Sequence, residues 1–124
     1  MSFRKRATII VQMPEGILLV SHSRKPNFML PGGGVRKRES SMSAAIRELY
    51  EETGLHTKSI RYLFTFNSLF RKHEVFFAEK VEGRLRTRKE IKHLTFWNEK
   101  TRNTLKISGH VEPIIEQFNA MNVA

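Results

Sequence analysis

Three glutamates stand close together near the middle of the chain, Glu48, Glu51 and Glu52. A helix advances about 100° per residue, so positions i, i+3 and i+4 lie on one face. Carboxylates placed that closely repel one another unless a cation lies among them, and hard oxygen ligands suit Mg²⁺ or Mn²⁺. The spacing therefore predicts a divalent metal site. The alternative is a solvated acidic helix face in which Arg47 pairs with a neighbouring glutamate.

The helix that carries these glutamates has recognisable ends. Ser40 or Ser41 can cap its start, and Gly54 stands where a left-handed residue commonly ends a helix. The glutamates lie roughly 120° from the centre of an apolar stripe at helical spacing. This stripe consists of Met42, Ala45, Ile46 and Leu49. We therefore expect one helix face to pack in the core and the other to present carboxylates.

Residues 33–55 contain a longer pattern with nine fixed positions: Gly33, Glu39, Arg47, Glu48, Leu49, Glu51, Glu52, Gly54 and Leu55. Their spacing resembles, without a gap, the Nudix box, G-x5-E-x7-R-E-U-x-E-E-x-G-U, where U is aliphatic. The resemblance implies an α/β fold of the Nudix type, an α/β/α sandwich with a mixed β-sheet between helices. It also implies that residues 1–124 form a single Nudix hydrolase domain.

The resemblance implies hydrolysis of a pyrophosphate bond with Mg²⁺ or Mn²⁺ as cofactor. Carried over position by position, it makes Glu51 and Glu52 metal ligands, and Glu48 a further ligand or the base that takes a proton from water. The glycine-rich turn before the helix lets the backbone approach a bound group closely. Gly32 is the position expected to offer a carbonyl to the metal, and Gly33 belongs to the same turn.

Other residues have supporting roles by the same resemblance. Arg47 is expected to orient a catalytic glutamate through charge-assisted hydrogen bonds, and Glu39 to support the site electrostatically or through a metal-bound water. Some family members use a base from a later loop, and Glu90 is the candidate here. The alternative is that Glu90 is an ordinary loop residue among basic neighbours.

The loop after the glycines is basic, although many family members carry an acidic residue and a glycine there. We expect either that it draws in additional substrate phosphates or that it is a solvated basic loop. The residues concerned are Arg36, Lys37 and Arg38.

The net charge of +10 attracts polyanions such as nucleotides, RNA or phosphorylated sugars, or else mainly keeps the protein dissolved. The first functional hypothesis is a pyrophosphohydrolase acting on a small-molecule nucleotide, either a nucleoside triphosphate, oxidised ones included, or a nucleoside diphosphate linked to another moiety. The alternatives are removal of pyrophosphate from the 5′ end of RNA, and a nucleotide- or RNA-binding module without turnover. Dimers are common in the family, which leaves a homodimer open.

The composition excludes some chemistry. There is no cysteine, so disulfides, thiolate metal sites and cysteine nucleophiles are ruled out. No apolar run is long enough for a signal peptide or a membrane span, so we expect a cytoplasmic protein without a membrane partner. The histidines lack metal-ligand spacing and are expected to be surface or structural residues: His22, His56, His73, His93 and His110.

The remaining elements are predicted from alternation and turn residues. Residues 7–11 and 17–20 indicate a hairpin, and residues 28–30 a short strand that leads into the glycine turn. Later strands are expected at about 59–66, 74–81 and 94–97. Val111, Ile114, Ile115 and Phe118 recur at helical spacing and predict a closing helix.

Overall fold

The computed structural model describes residues 4–121, which contain seven strands and two helices. The strands are β1 (Arg4–Ile10), β2 (Gln12–Met13), β3 (Gly16–Ser21), β4 (Gly32–Gly34), β5 (His56–Asn67), β6 (Arg71–Glu82) and β7 (His93–Trp97). The helices are α1 (Ser41–Thr53) and α2 (Val111–Ala120). The predicted strands β5, β6 and β7 and both predicted helices are confirmed. Within this range no helix has the length and apolar character needed to cross a membrane.

The strands form two sheets. The larger has the order β4-β1-β6-β5, and its β1 and β6 run parallel while the other pairs are antiparallel. The smaller is antiparallel, with the order β2-β3-β7. Neighbouring residues of a strand face opposite sides of its sheet. Ile9 accordingly packs with α1 and Ile10 with α2, each in its own apolar cluster. The predicted α/β/α arrangement with a mixed sheet is confirmed.

One local prediction is partly wrong and another is wrong. The predicted hairpin forms between β2 and β3 and includes Val11, whose carbonyl accepts a hydrogen bond from the Leu18 amide at 3.0 Å, but β1 ends at Ile10 and pairs with β6 and β4 instead. Residues 28–30 make only isolated bridges, Val20 to Met29 and Phe28 to Ile107. The glycines themselves form the edge strand β4 instead. A side chain at Gly32 would collide with the backbone oxygen of Ala7, so the close pairing of β4 with β1 depends on glycine there.

Helix α1 begins and ends as predicted. The Ser40 hydroxyl accepts a hydrogen bond from the Ser43 amide, and Gly54 ends the helix at φ +79°. The predicted apolar stripe is partly wrong, because Met42 and Ile46 are 40% and 37% exposed. The buried face is formed by Ala44, Ala45, Glu48, Leu49, Glu52 and Thr53. It is rotated towards the glutamates, since the side-chain-free strand β4 lets this side of α1 approach the sheet.

Candidate active site

Glu52 is the most deeply buried carboxylate of α1, with 2% of its surface exposed. Its Oε1 accepts a hydrogen bond from the Gly32 amide at 2.9 Å. Its Oε2 lies 3.4 Å from Nε2 of His22. The hydrogen bond to Glu52 raises the pKa of His22. His22 is exposed, and the expectation that it is a surface or structural histidine stays a prediction, but no spacing in the sequence signals its contact with a candidate ligand.

Arg47 joins the carboxylates into one network. Its Nε and Nη2 donate to the two oxygens of Glu39 at 2.7 and 2.9 Å, the paired geometry that favours arginine over lysine. Its Nη1 lies 3.0 Å from Glu51 and 3.2 Å from Glu48. Hydrogen bonding to Glu39 raises the pKa of Arg47, and the same contact lowers the pKa of Glu39 to about 2. Glu39 is therefore ionised at any physiological pH.

Glu48 lies between the helix and the glycine strand, and 7% of its surface is exposed. A Cβ placed on Gly33 would overlap the Glu48 carboxylate, so the missing side chain of Gly33 creates the space that this carboxylate occupies. The glycine pattern therefore has a second function besides strand pairing, which is to seat a candidate catalytic group.

Lys89 enters the site from the loop between β6 and β7. Its Nζ lies 3.5 Å from Oε1 of Glu51 and 3.7 Å from Oε1 of Glu48. The loop is attached to the end of α1 by backbone hydrogen bonds from Arg86 to the Thr53 carbonyl and from Arg88 to the Glu52 carbonyl. Sequence reasoning missed Lys89, because one lysine in a basic loop carries no positional signal.

The pKa of Glu51 reflects two opposing influences. Burial raises the pKa, but the hydrogen bond from Arg47 and the charge of Lys89 outweigh burial, and the net shift is downward. Glu51 is thus held in the ionised form that a metal ligand requires.

The donor chemistry of this site fits a hard divalent cation. Its carboxylate oxygens are the ligands that Mg²⁺ prefers, and the ammonium of Lys89 already lies against Glu48 and Glu51, where positive charge is favoured. Within residues 4–121, no three metal-ligating side chains converge on a single point. The glutamate oxygens face Arg47, Lys89, His22 and the Gly32 amide instead, so a metal would compete with these partners.

Two sets of predicted residues lie at the margin of this cluster. Glu90 is exposed, and among residues 4–121 its side chain has no hydrogen-bond or ion-pair partner, although its charge helps to raise the pKa of His22. Its role as a base stays a prediction. Arg36, Lys37 and Arg38 are exposed, and the Arg36 amide donates to Glu39 at 3.0 Å. Their contact with substrate phosphates also stays a prediction, as does the metal-binding carbonyl of Gly32.

A family model described as the NUDIX domain matches residues 2–112. The chain belongs to the Nudix family. Mouse diphosphoinositol polyphosphate phosphohydrolase 2 is 40% identical over 78 residues, which are 60% of this chain and 44% of that protein. The chain therefore spans less than half of this relative.

Solved Nudix structures match the fold along nearly the whole chain. A Nudix hydrolase family member from Chromobacterium violaceum has a TM-score of 0.88 and 27% identity, covering 99% of this chain and 81% of its own. The MutT protein from Methanosarcina mazei has a TM-score of 0.76 and 21% identity, covering 98% and 96%. The second likeness concerns the fold alone.

Proposed function

We propose that this Nudix chain, as a single domain, hydrolyses a diphosphate bond with Mg²⁺ or Mn²⁺ as cofactor. The observation that carries the proposal is the carboxylate network of α1. Glu48 and Glu52 are buried against the glycine strand β4, and Glu51 is held ionised beside them. These carboxylates are held close together only because Arg47, Lys89 and the Gly32 amide compensate their charge, and clusters of titratable groups of this kind are concentrated at functional sites.

Glu51 and Glu52 would hold the cation, with Glu48 and the Gly32 carbonyl as further ligands. A bound divalent cation neutralises the phosphate oxygens and lowers the pKa of water. Arg47 keeps Glu48 and Glu51 in place through its contacts of 3.2 and 3.0 Å. A base takes the proton from the attacking water, and Glu48, which lies at the edge of β4, is the first candidate. Glu90 is the second candidate.

The substrate we propose is a small nucleotide, either a nucleoside triphosphate, oxidised ones included, or a nucleoside diphosphate linked to another group. The name of the mouse relative adds diphosphoinositol polyphosphates to the compounds worth testing. All of these share the diphosphate. Arg36, Lys37 and Arg38 form an exposed basic loop next to Glu39 and would contact outer phosphates.

A second candidate function is removal of pyrophosphate from the 5′ end of RNA, favoured by the net charge of +10. RNA affinity would then fall steeply with salt, because several phosphates are contacted. A 5′-triphosphate RNA whose affinity hardly changed between low and moderate salt would remove this candidate. A binding module without turnover is disfavoured, because every fixed position of the box is intact.

The test is a substrate panel with Mg²⁺ or Mn²⁺, comprising nucleoside triphosphates, oxidised dNTPs, nucleotide sugars, dinucleoside polyphosphates, a diphosphoinositol polyphosphate and a 5′-triphosphate RNA. Products are identified by chromatography. Glu51→Gln is the test variant, and Glu116→Gln, on the exposed face of α2, is the matched control. Turnover of one class that is lost only in Glu51→Gln supports the proposal. A folded protein that binds nucleotide but hydrolyses nothing would contradict it.

A further inference from the structure

An open pocket of about 520 Å³ lies on the α2 side of the larger sheet. Its walls come from the first halves of β1 and β6, the turn between β5 and β6, and the residues just before α2. The polar side chains that line it are Arg6, Ser68, Arg71, His73, Ser108 and His110. Two arginines and two histidines therefore line this pocket, and no carboxylate does.

Arg6 is an unusual residue to find in such a wall, because only 5% of its surface is exposed. Its guanidinium donates to the Leu30 carbonyl at 2.8 Å and to the Thr8 hydroxyl at 3.3 Å. Among residues 4–121 no carboxylate forms an ion pair with it. A buried charge without a counter-ion is costly. Burial accordingly lowers the pKa of Arg6, and Arg71 nearby adds to this effect, although the charges of Glu52 and Glu48, which lie beyond ion-pair distance, partly oppose it.

Two neutral histidines lie in the pocket wall beside the arginines. His73 is fully buried, and its Nδ1 lies 2.9 Å from the Thr8 hydroxyl. The His110 ring stacks on it at 4.6 Å. Nε2 of His110 is shielded from solvent and has no hydrogen-bond partner in the part of the chain described. Burial and the nearby positive groups lower the pKa of His73 to about 3 and that of His110 to about 4. Both rings are therefore neutral at physiological pH, and each carries one N–H.

An acceptor with negative charge would compensate the two arginines together. We infer that this pocket binds a phosphoryl group, held by Arg6 and Arg71 beside the His73 and His110 rings. Phosphate matches the donor geometry of arginine, and it adds the counter-ion that Arg6 lacks. A nucleobase could stack on Phe66 or Phe70, which also line the pocket, but it would leave Arg6 without a counter-ion.

The pocket and the carboxylate network meet at the same edge strand. Arg6 pairs with Gly34 and the adjacent Ala7 pairs with Gly33, which contacts Glu48 on the α1 side. Because β4 consists of glycines, no side chain on this strand separates the two sites. We therefore assign the phosphoryl group to a substrate that reaches over β4 and carries a phosphate besides the hydrolysed diphosphate. This second step rests on the proposed function, whereas the anion site itself does not.

The anion site is tested without metal and without turnover. Inorganic phosphate is titrated into metal-free protein while the imidazole ¹H–¹⁵N signals are followed by NMR. The signals of His73 and His110 should shift, and Arg71→Met, at an exposed position, should weaken binding about tenfold. Arg61→Met removes the same charge from β5 outside the pocket and should leave the affinity unchanged. Equal weakening in both variants would overturn the site, because it would indicate a diffuse charge effect.

Two further experiments test the competing occupant, a nucleobase, and the substrate proposed to span the pocket and the carboxylate network. Adenosine, which has no phosphate, should leave both histidine signals in place, and a shift as large as that with phosphate would overturn the assignment to a phosphoryl group. For the active enzyme, Arg71→Met should raise KM more for a diphosphate substrate with an additional phosphomonoester than for the same compound without it. An equal rise would overturn the shared substrate. Phosphate binding by a chain that hydrolyses nothing would keep the anion site and refute only the proposed function.

Discussion

The Gly32 amide donates a hydrogen bond of 2.9 Å to Oε1 of Glu52, and this bond ties the edge strand β4 to the helix α1. Both partners are buried. Gly32 has φ +149° and a side chain there would strike the Ala7 backbone oxygen, so the amide reaches Glu52 only because the residue is glycine. The strand thus positions one candidate ligand directly, and through Gly33 it leaves room for another, Glu48.

Gly33→Ala is expected to reduce kcat by about 100-fold, because displacing a reacting group by about 1 Å has an effect of this order. The new Cβ would overlap the Glu48 carboxylate. The free energy of unfolding should fall by only about 1 kcal/mol, since the end of a side chain can shift. Steady-state kinetics and urea denaturation measure the two effects. Gly34→Ala is the control, because its Cβ would meet no atom within 4 Å. Equal losses of kcat in both variants would contradict the account.

Arg47→Lys keeps the charge but loses the paired hydrogen bonds to Glu39. The pKa of Glu39, about 2 in the native protein, should rise towards the ordinary value of about 4.3. The measurement is ¹³C NMR of the Glu39 carboxyl across a pH titration, with Arg61→Lys as the control. A pKa that stays near 2 in Arg47→Lys would show that charge alone, rather than the paired geometry, holds Glu39 ionised.

Lys89→Met should tighten divalent metal binding about two- to fivefold, because an exposed ion pair is worth up to about 1 kcal/mol and the metal no longer displaces it. The Lys89 ammonium lies 3.5 and 3.7 Å from Glu51 and Glu48. Calorimetric titration with Mg²⁺ measures the effect. Lys92→Met removes an exposed charge from the same loop and serves as the control. Weaker Mg²⁺ binding in Lys89→Met would mean that Lys89 organises the site instead of competing for it.

Acid should destabilise the protein through the buried histidine pair. In the unfolded chain a histidine takes up a proton below about pH 6.5, but in the fold burial lowers the pKa of His110 to about 4 and that of His73 to about 3. The unfolded state therefore binds more protons between these values, and stability is present above pH 6.5 and lost as the pH falls. The loss is up to about 1.4 kcal/mol per pH unit for each histidine.

His110→Phe isolates one member of this pair, because it keeps the stacking on His73 but cannot titrate. Urea denaturation between pH 7 and pH 4.5 should show a smaller loss of stability than in the native sequence. Identical pH profiles for the two proteins would contradict the expectation that His110 contributes to the loss of stability in acid.

Local spacing in the sequence is enough to predict α1, its two caps and the carboxylates at 48, 51 and 52, because these depend on neighbours within a few residues. Strand β4 cannot be predicted from the sequence, because three glycines show no alternation and have low β propensity. It forms because the glycines can pair closely with β1 around Ala7. Lys89 and His22 reach the site from loops whose path is set by tertiary contacts. The buried face of α1 is likewise turned by the partner strand rather than by its own apolar stripe.

The central claim is that the α1 carboxylates hold a divalent cation, and Mn²⁺ binding followed by EPR tests it most directly. Native protein, Glu51→Gln and the control Glu116→Gln are titrated with Mn²⁺ while the signal of the free ion is recorded. We expect saturable binding by the native protein and the control, and an affinity at least about tenfold lower in Glu51→Gln, which loses a charged ligand. Equal Mn²⁺ affinity in all three proteins would contradict the account.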